Sequence, residues 1–153
     1  MPVFLLLQKN NVIMPARTIY LIKRLETEVT TRMIEILGAY DITPSQFTIL
    51  SFVGDNETDL SSAQLSRRFL MTPQAMNEVV STMQRKALLE KNTDPNHRRI
   101  LRIRLTEKGQ QTLQYCNAAM DSFEAVLLKD FSVEEVDFFR NFIGKILSQK
   151  SSS

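Results

Sequence analysis

Apolar positions recur at three- and four-residue steps over most of this chain, interrupted by residues that start helices. Ile22, Leu25, Val29, Met33, Ile36 and Leu37 make one such series and predict a long helix over about residues 16–39. Phe47, Leu50 and Val53 turn inward on a second helix, 44–53, and a third covers 62–69. On a fourth, 73–87, Met76, Val79, Val80 and Met83 form the apolar stripe. Two strands follow, near 89–94 and 100–105, then a long helix from Thr106 to about residue 129. A last helix, 133–147, lines up Val136, Phe139, Ile143, Ile146 and Leu147.

The helix starts are chemically marked. Thr43 with Gln46, Ser61 with Gln64 and Ser132 with Glu135 are capping boxes, in which each side chain satisfies the other residue's free amide. Thr72 followed by Pro73 is a capping residue before a proline at the first helical position, and Thr43 is also followed by proline. Thr27 and Thr30 have the spacing of a box without the acid or amide, so they are discarded as a start. The fold class is mainly α with a small β-hairpin: a winged helix-turn-helix core flanked by N- and C-terminal helices. We expect a single domain over 1–153, with a winged-helix lobe at 44–105 and a helical lobe from 16–39 and 106–148.

The terminal stripes fit either an internal core or burial against a second copy. Phe138, Phe139 and Phe142 add aromatic area that wants covering, so a homodimer built from both termini is expected. Residues 1–14 read as a loosely ordered arm and Ser151–Ser153 as a disordered tail. The apolar run at residues 3–7 is too short for a secretory signal, and no stretch approaches the roughly 20 apolar residues of a membrane span.

Composition sharpens the picture at three points. Four glycines and five prolines in 153 residues favour long helices over a turn-rich sheet. One Cys and one His exclude an intrachain disulfide and an ordinary four-ligand zinc site, and fit a reducing cytoplasm. They also leave no plausible Cys–His dyad, and no glycine-rich phosphate loop occurs, so neither catalysis nor a cofactor is expected. Cys116 is expected to be a small core residue.

Charge is distributed unevenly. Residues 61–104 hold nine Lys and Arg against three acids, a net +6, whereas 1–60 and 105–153 are each −2. A basic middle between acidic ends points to nucleic acid, because phosphate recognition needs local potential. Opposite its apolar stripe, the fourth helix shows Gln74, Asn77, Glu78, Ser81 and Arg85. Asn and Gln pair bidentately with adenine, and Arg with guanine. A plain solvated face carries the same residue types. The hairpin shifts the balance: after the turn-prone Asp94-Pro95-Asn96 come His97, Arg98 and Arg99, then Arg102 and Arg104. Adjacent arginines at a hairpin tip suit the negative potential of a narrow minor groove. Gln74, Asn77, Ser81 and Arg85 are therefore the candidate major-groove residues, with His97, Arg98 and Arg99 on the wing.

From Leu60 to Gly109 these residues resemble the MarR (multiple antibiotic resistance regulator) family of winged-helix transcription factors. The resemblance lies in the order of Ser61–Phe69, Pro73–Ala87, Leu88-Leu89, the basic hairpin and Leu105-Thr106-Glu107-Lys108-Gly109. It implies an obligate dimer whose two recognition helices enter successive major grooves of a pseudo-palindromic operator, with Arg99 in the minor groove. It also implies repression relieved by a small hydrophobic or aromatic effector, or by cysteine oxidation. An effector site is expected in the crevice between the two lobes, near Met33, Phe47 and Met71, residues that core packing explains at least as well. The chain departs from the family pattern in three places. His97 replaces an Asp that steadies the wing arginine, Ala87 replaces the glycine after the recognition helix, and Cys116 lies outside the first helix, where peroxide-sensing members carry theirs. A non-specific architectural DNA protein and a winged helix serving only protein interaction are the alternatives.

Overall fold

A computed structural model describes residues 17–55, 60–93, 96 and 101–149. The expected N-terminal arm, the wing residues His97, Arg98 and Arg99, and the serine tail lie outside them. Among these described residues, six helices and one hairpin follow in the order α1 (Thr18–Gly38), α2 (Pro44–Asp55), α3 (Ser62–Arg68), α4 (Pro73–Arg85), β1 (Leu89–Thr93), β2 (Leu101–Leu105), α5 (Glu107–Leu127) and α6 (Val133–Gln149). The chain divides into two compact units, Met1–Cys116 and Asn117–Ser153, with the division inside α5.

Every expected cap forms. The Thr43 amide donates to Gln46 Oε1 and the Gln46 amide to Thr43 Oγ1, both at 3.2 Å. Ser61 and Gln64 complete the same exchange at α3, and Ser132 with Glu135 at α6. Thr72 Oγ1 accepts from the Ala75 amide at 3.1 Å, with Pro73 at the head of α4. Thr27 is an interior residue of α1 and donates its hydroxyl to the Lys23 carbonyl.

In the first unit, Leu37 from α1, Ile49, Leu50 and Val53 from α2, Leu65 from α3, and Met76, Val80 and Met83 from α4 are buried, as are Leu88, Leu89 and Ile103. The hairpin is antiparallel, with Leu89 opposite Leu105 and Thr93 opposite Leu101. Its alternation turns Leu89 and Ile103 into the core and leaves Glu90 opposite Arg104 and Asn92 opposite Arg102 on the other face. A single bridge from Leu60 to Ile103, with the Ile103 amide 2.7 Å from the Leu60 carbonyl, ties the hairpin to the start of α3. The expected α1 stripe is only partly absorbed: Leu37 is buried, but Ile22 and Leu25 remain exposed.

The exits of α1, α3 and α4 share one construction. Asp41, Leu70 and Ala87 adopt left-handed backbone, φ 56°, 51° and 58°. In each case the next residue donates back five positions: Ile42 to the Leu37 carbonyl (3.1 Å), Met71 to Ser66 (2.9 Å) and Leu88 to Met83 (2.9 Å). These are Schellman caps, which normally place glycine at the left-handed position. Ala87 therefore carries strain that a glycine would avoid. Replacing Ala87 by Gly removes a penalty of about 1–2 kcal/mol, against roughly 0.4–1 kcal/mol of added unfolded-chain entropy. Ala87→Gly is expected to stabilise the protein by about 0.5–1 kcal/mol, read as a higher urea midpoint at fixed protein concentration with an unchanged m-value.

The second unit is the C-terminal half of α5 and α6. Arg140 pairs with Glu124 at 3.0 Å, and Phe138 stacks with Phe142 at a centroid distance of 6.3 Å. No residue of α6 is buried: Phe139, Ile143, Ile146 and Leu147 are all exposed.

Candidate nucleic-acid interface

Helix α4 has two chemically opposite sides. Met76, Val80 and Met83 are fully buried, which fixes the rotation of the helix about its axis. Gln74, Asn77, Ser81 and Arg85 are thereby presented together, and with Glu78 and Thr82 they line one shallow, open concavity. Arg85 Nη2 donates to Thr82 Oγ1 at 3.0 Å, which holds its guanidinium along the face. The four candidate major-groove residues thus share one surface, while His97, Arg98 and Arg99 fall outside the described residues.

Helix α3 contributes exposed Arg67 and Arg68 in its last turn. The Arg68 guanidinium lies 5.3 Å from the Phe52 ring centroid, and Phe52 meets Phe69 edge-on at 5.5 Å. Phe52 belongs to α2, so the cation–π contact that steadies Arg68 crosses helices and had no local signature.

Lys86 is the other residue that sequence reasoning missed. At the C-cap of α4, its Nζ donates to the Asp41 carbonyl and to Gln46 Oε1 (3.4 Å), and lies 3.1 Å from Asp41 Oδ2. One ammonium thus ties the exit of α4 to the corner between α1 and α2 and gives the buried Gln46 amide a second donor. Its partners lie 40 and 45 residues away, beyond the reach of any sequence periodicity.

The Leu-Thr-x-x-Gly segment closes the same region. Thr106 Oγ1 accepts from the Gly109 amide at 2.9 Å and donates to the Ala87 carbonyl at 2.6 Å, while the Thr106 amide donates to Leu88 O at 3.1 Å. Lys108 Nζ donates to the Lys86 carbonyl at 2.9 Å. The first turn of α5 is therefore bonded onto the exit of α4, residue by residue from Lys86 to Leu88.

Cys116 is fully buried, and desolvation pushes its thiol above the ordinary range. It matches a core residue rather than a reactive thiolate. Met33, Phe47 and Met71 are each half-buried. Among the described residues no His, Cys, Asp and Glu cluster could hold a metal, and no helix is long and apolar enough to cross a membrane.

Comparison with known proteins places this geometry. The sequence model of the MarR family matches residues 40–100. An uncharacterized HTH-type transcriptional regulator of Bacillus subtilis, YsmB, is 28% identical over 112 residues, 73% of this chain and 76% of that protein. The structure of a MarR family protein from Bacillus stearothermophilus is 28% identical with a TM-score of 0.76, covering 91% of this chain and 99% of that one. The transcriptional repressor CouR, solved bound to a 23-mer DNA duplex, has the same fold at a TM-score of 0.79 and 18% identity, over 86% of this chain and 92% of that one.

Proposed function

We propose that the chain, which matches the MarR family over residues 40–100, is a DNA-binding winged-helix transcription regulator of that family, and that it acts as a dimeric, sequence-specific repressor released by a small hydrophobic or aromatic effector. The observation that supports base recognition is the rigid presentation of Gln74, Asn77, Ser81 and Arg85 on one open face of α4. Asn77 and Gln74 offer paired donor and acceptor groups for adenine, and Arg85 offers two parallel donors for guanine O6 and N7. The basic hairpin supplies the second contact, with Arg98 and Arg99 in the minor groove and His97 beside a phosphate. CouR, whose solved complex contains duplex DNA, supports this docking by likeness of fold.

Dimerisation is supported by the uncovered apolar surface. Ile19, Ile22 and Leu25 on α1 and Phe139, Ile143 and Leu147 on α6 are exposed in the single chain, and a protein in water rarely leaves so much apolar area uncovered. A two-fold pair presents two copies of α4 to one duplex face, and their separation must match about one helical turn, 34–36 Å. An effector that favours another separation lowers DNA affinity by shifting the population of dimer geometries. Half-buried Met33, Phe47 and Met71 are the apolar candidates to line its site. Cytoplasmic residence follows from the role, since the operator is there.

The test is fluorescence-anisotropy titration of the DNA flanking the protein's own gene, against random duplex as competitor, over a series of salt concentrations. Saturable binding by a dimer that survives the competitor is the expected result. Equal affinity for both duplexes would replace the repressor with an architectural protein. An absence of binding, also from a pool of random sequences, would replace it with a protein-interaction module.

A further inference from the structure

The face of α4 contains a carboxylate that the DNA reading does not absorb. Glu78 is exposed and lines the same concavity as Gln74, Asn77, Ser81, Thr82 and Arg85. It stands one turn after Gln74 and one turn before Thr82, so it is central to the face. Three exposed acids on other helices are held by cations: Glu26 by Lys23 at 2.8 Å, Glu35 by Arg32 at 2.8 Å and Glu124 by Arg140 at 3.0 Å. Among the described residues Glu78 has no cation within salt-bridge distance. The nearest one on its own face, Arg85, is turned to the Thr82 hydroxyl instead.

An unpaired carboxylate in this position opposes every phosphate the surface approaches, and so weakens binding to duplex in general. In the most basic third of the chain it is the one negative charge on α4. Only a donor on a base edge can offset the loss. In the major groove, cytosine presents its N4 amino group with no acceptor of its own beside it, whereas adenine adds N7, guanine shows O6 and N7, and thymine shows O4. Acceptors repel a carboxylate.

We propose that Glu78 is a specificity-determining residue, accepting a hydrogen bond from a cytosine N4 amino group in each half-site and rejecting duplexes that place an acceptor there. The inference rests on the reading of α4 as the major-groove helix. Gln74, Asn77 and Arg85 reward correct bases, and Glu78 penalises incorrect ones, so it contributes to discrimination more than to affinity.

The test first selects an operator from a random duplex pool with the wild-type protein. Wild type, Glu78→Gln and Glu78→Ala are then titrated against that operator, every single base-pair substitution of it, and random duplex. Circular dichroism checks that the variants fold, as the exposure of Glu78 predicts. In wild type, replacing one C·G pair per half-site is expected to cost about tenfold or more. Glu78→Ala should reduce that cost to within about twofold and bind random duplex several-fold tighter, because a like charge has gone. Glu78→Gln, which donates as well as accepts, should move the preference at that pair towards A·T. Preferences at the other positions should stay. Variants that keep the wild-type preference at every pair, or that lose affinity for all duplexes alike, would overturn the proposal. A wild-type protein that selects no sequence would overturn the premise as well, and that result appears in the wild-type arm alone.

Discussion

Gly109→Ala is expected to cost about 3 kcal/mol or more, among the larger effects of a single methyl group. A Cβ at Gly109 would overlap the Leu88 carbonyl oxygen and come within 3.0 Å of the Leu88 carbonyl carbon. Those atoms are backbone, so no side-chain rotation relieves the overlap. The helix has to move, yet its first turn is bonded to Ala87 and Leu88 through Thr106 and to Lys86 through Lys108. Leu88 and Leu89 are themselves in the core, 2% exposed each, so the other side cannot retreat either. Thermal unfolding followed by circular dichroism should show a midpoint lower by roughly 10 °C, given about 2–4 °C per kcal/mol for a chain of this size. Gly38→Ala is the control: nothing lies within 4 Å of its Cβ position, so it should be neutral or slightly stabilising. Equal losses in the two variants would mean that the close approach of α5 to Leu88 is not what constrains Gly109.

The second large effect concerns DNA. Under the proposed function, the double variant Arg98→Ala, Arg99→Ala should bind the operator roughly 100-fold more weakly, as expected for two charged hydrogen bonds of about 1–2 kcal/mol each. The dependence of log affinity on log salt should flatten by about 0.9 for each phosphate that is no longer neutralised. Stability should be unaffected, because the strand pairs nearest the tip, Thr93 with Leu101 and Asn92 with Arg102, are preserved. An unchanged salt slope with unchanged operator affinity would remove the wing from the binding surface.

Sequence reasoning was strongest where structure is local. The boxes at Thr43, Ser61 and Ser132 and the Thr72-Pro73 start bond residues three apart, and all four form within one turn of the chain. The stripe of α4 was equally legible, because Met76, Val80 and Met83 repeat with the helix and have few polar interruptions. The same periodicity left α6 ambiguous. A stripe states that a face will be covered without stating by what, and in the single chain Phe139, Ile143 and Leu147 are not covered. Ala87 shows a different kind of shortfall. An alanine there leaves open an exit that avoids positive φ or one that tolerates strain, and the tertiary structure imposed the strained one because Leu88 turns inward to bond Met83 and meet α5.

What the sequence determined by itself is the order of elements, their starts, the polar face of α4 and the basic charge of the segment that carries it. Each depends on residues within a turn or on plain counting. What only the tertiary structure decided is the placement of that face: Lys86 reaching 45 residues back to Asp41, Arg68 held over Phe52 of another helix, and Gly109 seated on Leu88. These interactions join residues whose separation along the chain carries no period, so they exist only once the core around Leu50, Val80 and Ile103 has closed.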